Sequence, residues 1–515
     1  PHVHRGLVRQ VRVVASFRGS NIAPVTHIKT NRDLTFDVQT GTLGFLGAPF
    51  VASHPPAVSA RKTDDGWLLE LPDNTARVEV VTFHGNRDAV QAEPPQLQPE
   101  LQKNLRYWND DARLPWGRIR VPEVRVDALL DASIRTLHQV REYVDGYPQF
   151  QPGPSVYRGF WASDGIWDAD AALMTGDIAS AQFTVDRLIE HQNENGRVEI
   201  MSPTLLHRET AHLMWLLLRF AKLTQDPDWL QERWQAMEKA VMHYRDLRRQ
   251  ASRDPNALYF GLTPPGLTDG GIGGINAEYG GVYWGLIGLK AAIDAAQMVG
   301  RAEQAQAWQA EFDDFLAAFR RAAERDLRTD ENGNVFLPMK MGLTGDIPFP
   351  QRGQGQLCHT VFPGKVFGAN DAFVTGMLKI FDQNMAEGLV LDAGWLKGGV
   401  WPFFAAHRGL AELWLGRAEK AQAALFALVD HATPTLIWVE EQSPQGKGTR
   451  IAGDSPQTNA NAQIIRLLRH LLILERGDDL HLLPALPPHW LHPNAELALD
   501  RLPTEFGELT LRLRV

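Results

Sequence analysis

The feature that most limits the fold is a joint that occurs three times. Met174-Thr175-Gly176-Asp177-Ile178-Ala179-Ser180-Ala181, Met298-Val299-Gly300-Arg301-Ala302-Glu303-Gln304-Ala305 and Trp414-Leu415-Gly416-Arg417-Ala418-Glu419-Lys420-Ala421 share one plan. A helix ends at glycine, two or three residues turn the chain, and a new helix starts on small residues. Leu223-Thr224-Gln225-Asp226-Pro227 is a looser copy. Repeated helical hairpins of about 50 residues form an open solenoid or a closed ring. An open solenoid would use one short linker throughout. Here alternate connections are long and rich in Gly, Pro and aromatics: 145–165, 194–206, 253–277, 328–369, 387–400 and 432–456. Long loops gathered at one end of a ring make a functional face. The pattern predicts a mainly α chain built on an (α/α)6 toroid.

Helical periodicity runs over 123–476. Val124, Leu129, Leu130, Ile134, Leu137 and Val140 mark the first helix. Further helices are expected near 166–175, 178–193, 207–223, 228–250, 278–299, 302–327, 370–386, 401–415, 418–431 and 457–475, with Ser455 or Thr458 capping the last. Residues 1–95 read as an N-terminal β-sandwich, with strands at 11–15, 34–38, 67–71 and 76–81. A Pro-rich linker precedes the ring, assigned to 96–122. Residues 477–515 return to a short β segment, ending in the strict alternation Leu509-Thr510-Leu511-Arg512-Leu513-Arg514-Val515, a candidate partner for the sandwich.

A hydrophobic share of 44% and a charged share of 22% are those of an ordinary globular protein. The net charge of −9 argues against nucleic acid or an anionic membrane as partner. No apolar run approaches the roughly 20 residues of a membrane span. The single Cys358 excludes an internal disulfide framework, and no Cys/His cluster has zinc spacing. A cytoplasmic location is expected over secretion, and a start at Pro1 fits a trimmed N-terminus. The sequence leaves the oligomeric state open.

The long loops carry the chemistry. Tyr157-Arg158-Gly159-Phe160-Trp161-Ala162-Ser163-Asp164-Gly165-Ile166-Trp167-Asp168-Ala169-Asp170 sets one arginine and three acids among aromatics, a set that binds vicinal hydroxyls. Its bland alternative is a helix cap with a surface ion pair. Thr268-Asp269-Gly270-Gly271 sits in a glycine-rich stretch that allows close backbone approach to a ligand. Asp269 is the candidate general acid there and Glu278 the reserve. Trp395-Leu396-Lys397 and Trp401 read as a binding wall, or equally as packing under a glycine turn. Trp438-Val439-Glu440-Glu441-Gln442 puts two carboxylates beside an indole on a loop ahead of an apolar helix. That is where a general base would be held. Arg208 and Glu209 read as charges at a helix start.

The order of these parts resembles the (α/α)6 glycoside hydrolases that include glucoamylases, processing α-glucosidase I (family 63), trehalases and α-L-rhamnosidases. In that group an early loop with a tryptophan and an acid holds the cleaved sugar, and Trp161 and Asp164 look like that element. Ser163 stands where many members have arginine, and Arg158 is the candidate substitute. The family acid precedes a mid-ring helix, as Asp269 does, and glucoamylases carry Glu-Gln before the last helix, similar to Glu441-Gln442. The resemblance implies hydrolysis of a glycosidic bond with inversion, on an α-linked sugar, with Asp269 as acid, Glu441 or Glu440 as base, and no metal or organic cofactor. The alternatives are a sugar phosphorylase on the same ring and a non-catalytic carbohydrate-binding helical repeat.

Overall fold

The structure, a computed structural model, describes residues 10–13, 34–45, 48–63, 66–73, 75, 79–82, 97–112, 114–144, 146–154, 157–200, 206–445 and 450–515. The chain divides into two compact units, Pro1–Leu114 and Pro115–Val515.

In the first unit, seven strands are described: β1 (Gln10–Val13), β2 (Leu34–Asp37), β3 (Thr42–Phe45), β4 (Ala48–His54), β5 (Ser59–Thr63), β6 (Gly66–Glu70) and β7 (Glu79–Thr82). They form two antiparallel sheets, β1-β6-β5 and β2-β3-β4-β7. Leu34, Leu43, Val51, Ala57 and Leu69, drawn from both sheets and the turn between, make one apolar cluster. Residues 14–15 and 76–78, expected in strands, lie outside the described residues. The segment expected as a linker contains a helix, α1 (Leu97–Arg106).

The second unit carries the remaining helices in chain order: α2 (Val124–Gln139), α3 (Ala162–Thr175), α4 (Ile178–Glu190), α5 (Arg208–Thr224), α6 (Pro227–Glu232), α7 (Trp234–Ala251), α8 (Gly280–Met298), α9 (Ala302–Asp326), α10 (Gly355–Val361), α11 (Ala372–Gln383), α12 (Pro402–Trp414), α13 (Ala418–His431) and α14 (Thr458–Leu472). Six of them touch in a closed cycle: α3, α5, α8, α10, α12, α14 and back to α3. The others lie on this cycle, with α4 against α3 and α5, α7 against α5 and α8, α9 against α8, α13 against α12 and α14, and α2 against α14. This is a ring of helices within a ring.

Sequence explains which helix goes where. A helix apolar on one stripe needs one buried face, so it lies outside. In α9 the buried set Ala305, Trp308, Phe315, Ala318, Phe319, Ala322 follows that spacing. In α14 all fifteen residues are buried, so its Arg466, Arg469 and His470 must find partners inside. The three glycine joints turn as expected, with φ of +83° at Gly176, +74° at Gly300 and +80° at Gly416. The looser copy uses Gln225 at φ +56°, followed by Asp226, which caps α6.

Each inner helix is entered from a long loop and left through a joint or shorter turn. The six inner helices therefore run parallel, with their N-termini at the loop end. Two expectations need correction. The 328–369 stretch is not one loop, since it contains α10, the inner helix that completes the cycle. Seven residues are too few to show a period. The cap of α14 is Gln457, whose side chain accepts from the Ala460 N–H at 3.1 Å, while the Thr458 hydroxyl donates to the Gln151 carbonyl. The C-terminal hairpin, Glu496–Thr504 with Gly507–Arg514, pairs with Ile119–Arg120 of the same unit. No helix among the described residues is long and apolar enough to cross a membrane.

Candidate active site

The loops entering α3, α8, α12 and α14 meet above the ring. The Tyr157 N–H and the Glu440 N–H both bond to Asp454, at 2.8 Å to its carboxylate and 3.1 Å to its carbonyl. Gly271, two residues after Asp269, lies backbone to backbone on Gly394. Gly394 in turn touches Glu441: a Cβ built there would stand 1.8 Å from Oε1. A Cβ at Gly453 would stand 1.7 Å from Glu440 Oε2, and its φ of +75° is itself a glycine conformation. These two positions tolerate no side chain.

Asp269 is partly open, with 36% of its side chain exposed. The guanidinium of Arg208, at the start of α5, grips its Oδ2 and also donates to Ser163 Oγ at 3.0 and 3.2 Å. Arg208 is buried, so this contact holds the loop of Asp269 to the first turn of α3.

The adjacent glutamates face different partners. Glu441 begins a two-residue strand paired with Ile451–Ala452. Its Oε1 and Oε2 accept the backbone N–H groups of Trp395 and Leu396. Burial raises its carboxyl, opposed by those amides and by Arg352. Glu440 is 6% exposed and its Oε2 has no hydrogen-bond partner. Burial pushes Glu440 well above the usual carboxylate range, and Asp164, Glu441, Asp269 and Asp454 add to it. Partial burial raises the hydroxyl of the half-buried Tyr157, and Glu440, Asp164, Asp269 and Glu441 add to it.

Asp164 lies in the first turn of α3. Its Oδ1 accepts from Asn459 Nδ2 at 3.0 Å and from Gln457 Nε2 at 3.3 Å. Burial pushes its carboxyl up to about 6, the amide of Asn459 opposes this, and Asp269 adds to it. The donors form a directed chain along α14: Arg466 Nη1 to Gln463 Oε1 at 2.6 Å, Gln463 Nε2 to Asn459 Oδ1 at 2.9 Å, then Asn459 to Asp164. Each N–H points toward the acid, so the chain polarises in its favour.

The other expected residues separate by depth. Trp161 precedes α3 with its ring edge-on to Tyr157 at 5.2 Å. Trp395 is 44% exposed at the rim, 3.5 Å from where a Cβ on Gly273 would lie. Trp401 packs edge-on against Phe403 just before α12. Lys397 is exposed, and its carbonyl accepts from Arg450. Trp167 lies in the middle of the ring among Trp215, Trp284, His359 and His407. Asp168 is buried beneath Asp164 and accepts from Thr458 Oγ1 at 3.2 Å. Trp438 is fully buried and donates to the Leu428 carbonyl. Arg158 turns outward to Glu142 with 60% of its side chain exposed, so the arginine beside Ser163 is Arg208 instead. Glu278 spends its carboxylate on the N–H groups of Gly280 and Gly281 at the start of α8, and burial pushes it to about 7.

Sequence reasoning passed over Arg208, Gln457, Asn459 and Asp454. Arg208 looked like a helix-start charge, and the two amides flank Thr458, one of the two expected caps. The available signal was their position: each lies at the loop end of an inner helix.

No protein-family model and no curated protein matches the sequence. Solved structures share the fold. A GH78 family rhamnosidase of Bacillus sp. GL1 aligns with a TM-score of 0.53 at 15% identity, over 76% of this chain and 40% of that one. A glycosidase, in a single-residue variant, gives 0.51 at 15% identity over 67% of this chain and 97% of that one. A bacterial glucoamylase complexed with acarbose gives 0.50 at 15% identity, over 79% and 63%. At this identity the likeness speaks to architecture: the chain has the (α/α)6 toroid seen in these glycosidases.

Proposed function

We propose that this chain is a glycoside hydrolase that cleaves an α-linked sugar with inversion, using Asp269 and Glu440 as its proton-transfer pair. One observation carries the reading: three acids from separate parts of the chain, Asp164 at the start of α3 and Asp269 and Glu440 on two long loops, lie near enough that Asp269 raises Asp164 and both raise Glu440. In the assignment drawn from sequence, Asp269 protonates the leaving oxygen and Glu441 or Glu440 deprotonates the attacking water. Glu440 is preferred to Glu441 because both oxygens of Glu441 are taken by backbone amides. Asp164, Tyr157 and Trp161 would hold the sugar by hydroxyl and ring-face contacts, and Trp395 would meet the leaving portion. Inversion and the α-linkage come from the resemblance, and the shared toroid supports them. The N-terminal sheets are read as a β-sandwich attached to this catalytic ring. A phosphorolytic reading is weaker, since phosphate would meet this cluster of acids.

A second assignment exchanges the roles. Asp269 is in contact with the Arg208 guanidinium, and burial among acids favours a proton on Glu440. A glycosyl fluoride needs no proton on its leaving group. The variant lacking the acid therefore keeps turnover of the fluoride, and the variant lacking the base loses it. Asp269→Asn active on fluoride and Glu440→Gln inactive supports the first assignment; the reverse supports the exchange. No turnover of any α- or β-glycoside in a panel, or a product of retained configuration by NMR, sinks the proposal.

A further inference from the structure

The closed end of the ring, where the inner helices finish, holds a second cavity of about 60 Å³. Its walls come from the C-terminal halves of α5, α8 and α14 and from the turn after α10. The volume is enough for about four waters, at roughly 10–15 Å³ each, or for one ion with four oxygens.

The charges around it are mostly spent. Asp170 is divided between Arg219 and Arg466, at 2.9 and 2.8 Å. Glu505 is divided between Arg219 and Lys222, both at 3.0 Å. Glu475 is taken by Arg469. Lys290 and Asp294 of α8 also line the cavity. Two donors on opposite sides of the sequence, on the turn after α10 and on α14, stand out. Lys365 forms no ion pair among the described residues, and its Nζ sits 4.9 Å from the centre of the Trp414 ring. Arg466 is 1% exposed, and its Nη2 has no hydrogen-bond partner. A buried guanidinium nitrogen without an acceptor costs on the order of 1–3 kcal/mol, and an anion would supply the acceptor.

We propose that this cavity binds one small oxyanion, of phosphate or sulfate size, through Lys365 and the Nη2 of Arg466. The site is distinct from the proposed sugar pocket at the other end of the ring and does not depend on that reading. An ion bound only by the folded chain raises the unfolding midpoint as its concentration rises toward saturation.

The test is thermal unfolding of the full chain in sodium phosphate, sulfate or chloride at equal ionic strength. Phosphate and sulfate should raise the midpoint by a few degrees over chloride, saturably. Lys365→Met keeps the apolar stem and should remove that increment. Arg466 is unsuitable for substitution because it also anchors the amide chain to Asp164. Equal midpoints in the three salts overturn the proposal, as does an increment that survives in Lys365→Met, which would be a general salt effect. If that variant does not fold, selenate-soaked crystals decide: an anomalous peak between Lys365 and Arg466 supports the site, and none there overturns it.

Discussion

The two ends of the ring hold the same kinds of buried carboxylate and treat them in opposite ways. At the loop end, burial pushes Asp164 to about 6 and Asp168 and Glu440 well above the usual range. At the closed end burial pushes the same way, but Arg219 and Arg466 outweigh it on Asp170, and Arg469 outweighs it on Glu475. Asp164 and Asp170 share helix α3, so depth in the fold is not the difference. The difference is the count of nearby cations. One end is balanced for cohesion. The other is left short of positive charge, which keeps protons available near neutral pH at some expense in stability.

The largest effect that could break this contrast is on turnover. Asp269→Asn or Glu440→Gln should lower kcat/KM by about 10³-fold or more, while the thermal midpoint moves by no more than about two degrees. An active Glu440→Gln would mean the unpartnered acid is not used. Next, Asp170→Ala strands Arg466 and should cost about 3–5 kcal/mol in urea unfolding. A loss under 1 kcal/mol would show that the closed end is not held by its ion pairs.

The contrast also predicts a pH profile. Asp164 folds with a raised carboxyl, so its contribution to stability is complete below about pH 4 and is lost as pH rises through about 6. Glu278 and Glu209, pushed to about 7, act in the same direction. Asp170, Glu475 and Glu505 fold with lowered carboxyls, so their contribution is present above about pH 4 and fades below it. The midpoint should therefore rise from pH 7 to pH 5 and fall below pH 4. Asp164→Asn should remove on the order of 1 kcal/mol of that rise. The smallest effect is at the rim: Trp395→Ala should raise KM several-fold, about 1 kcal/mol, with kcat unchanged. A change in kcat instead would place the indole nearer the reacting bond.

The contrast itself was not legible in the sequence, although its frame was. Gly176, Gly300 and Gly416 mark three joints by composition alone, and the order of Asp164, Asp269 and Glu440-Glu441 along the loops could be read from their neighbours. Helix α10 escaped because seven residues starting at Gly355 show no period. Arg208 escaped because its role depends on reaching Ser163 on α3 and Asp269 on a distant loop. The choice between Glu440 and Glu441 escaped for a simpler reason. Neighbours in an extended segment point to opposite sides, so Glu441 meets the loop backbone and Glu440 the other acids. Which is which depends on where Trp395 and Leu396 come to rest.

Helix α14 has a consequence for how the molecule is made. Asn459 meets Asp164 across 295 residues of chain, and Thr458 meets Gln151 across 307. On the ribosome, the nascent polypeptide would expose the unshielded flanks of α3 until nearly everything after them has emerged. Contacts of such long range form late and slowly. The pocket would thus be among the last parts to assemble, and a chain arrested before α14 would carry its acids without a site to put them in.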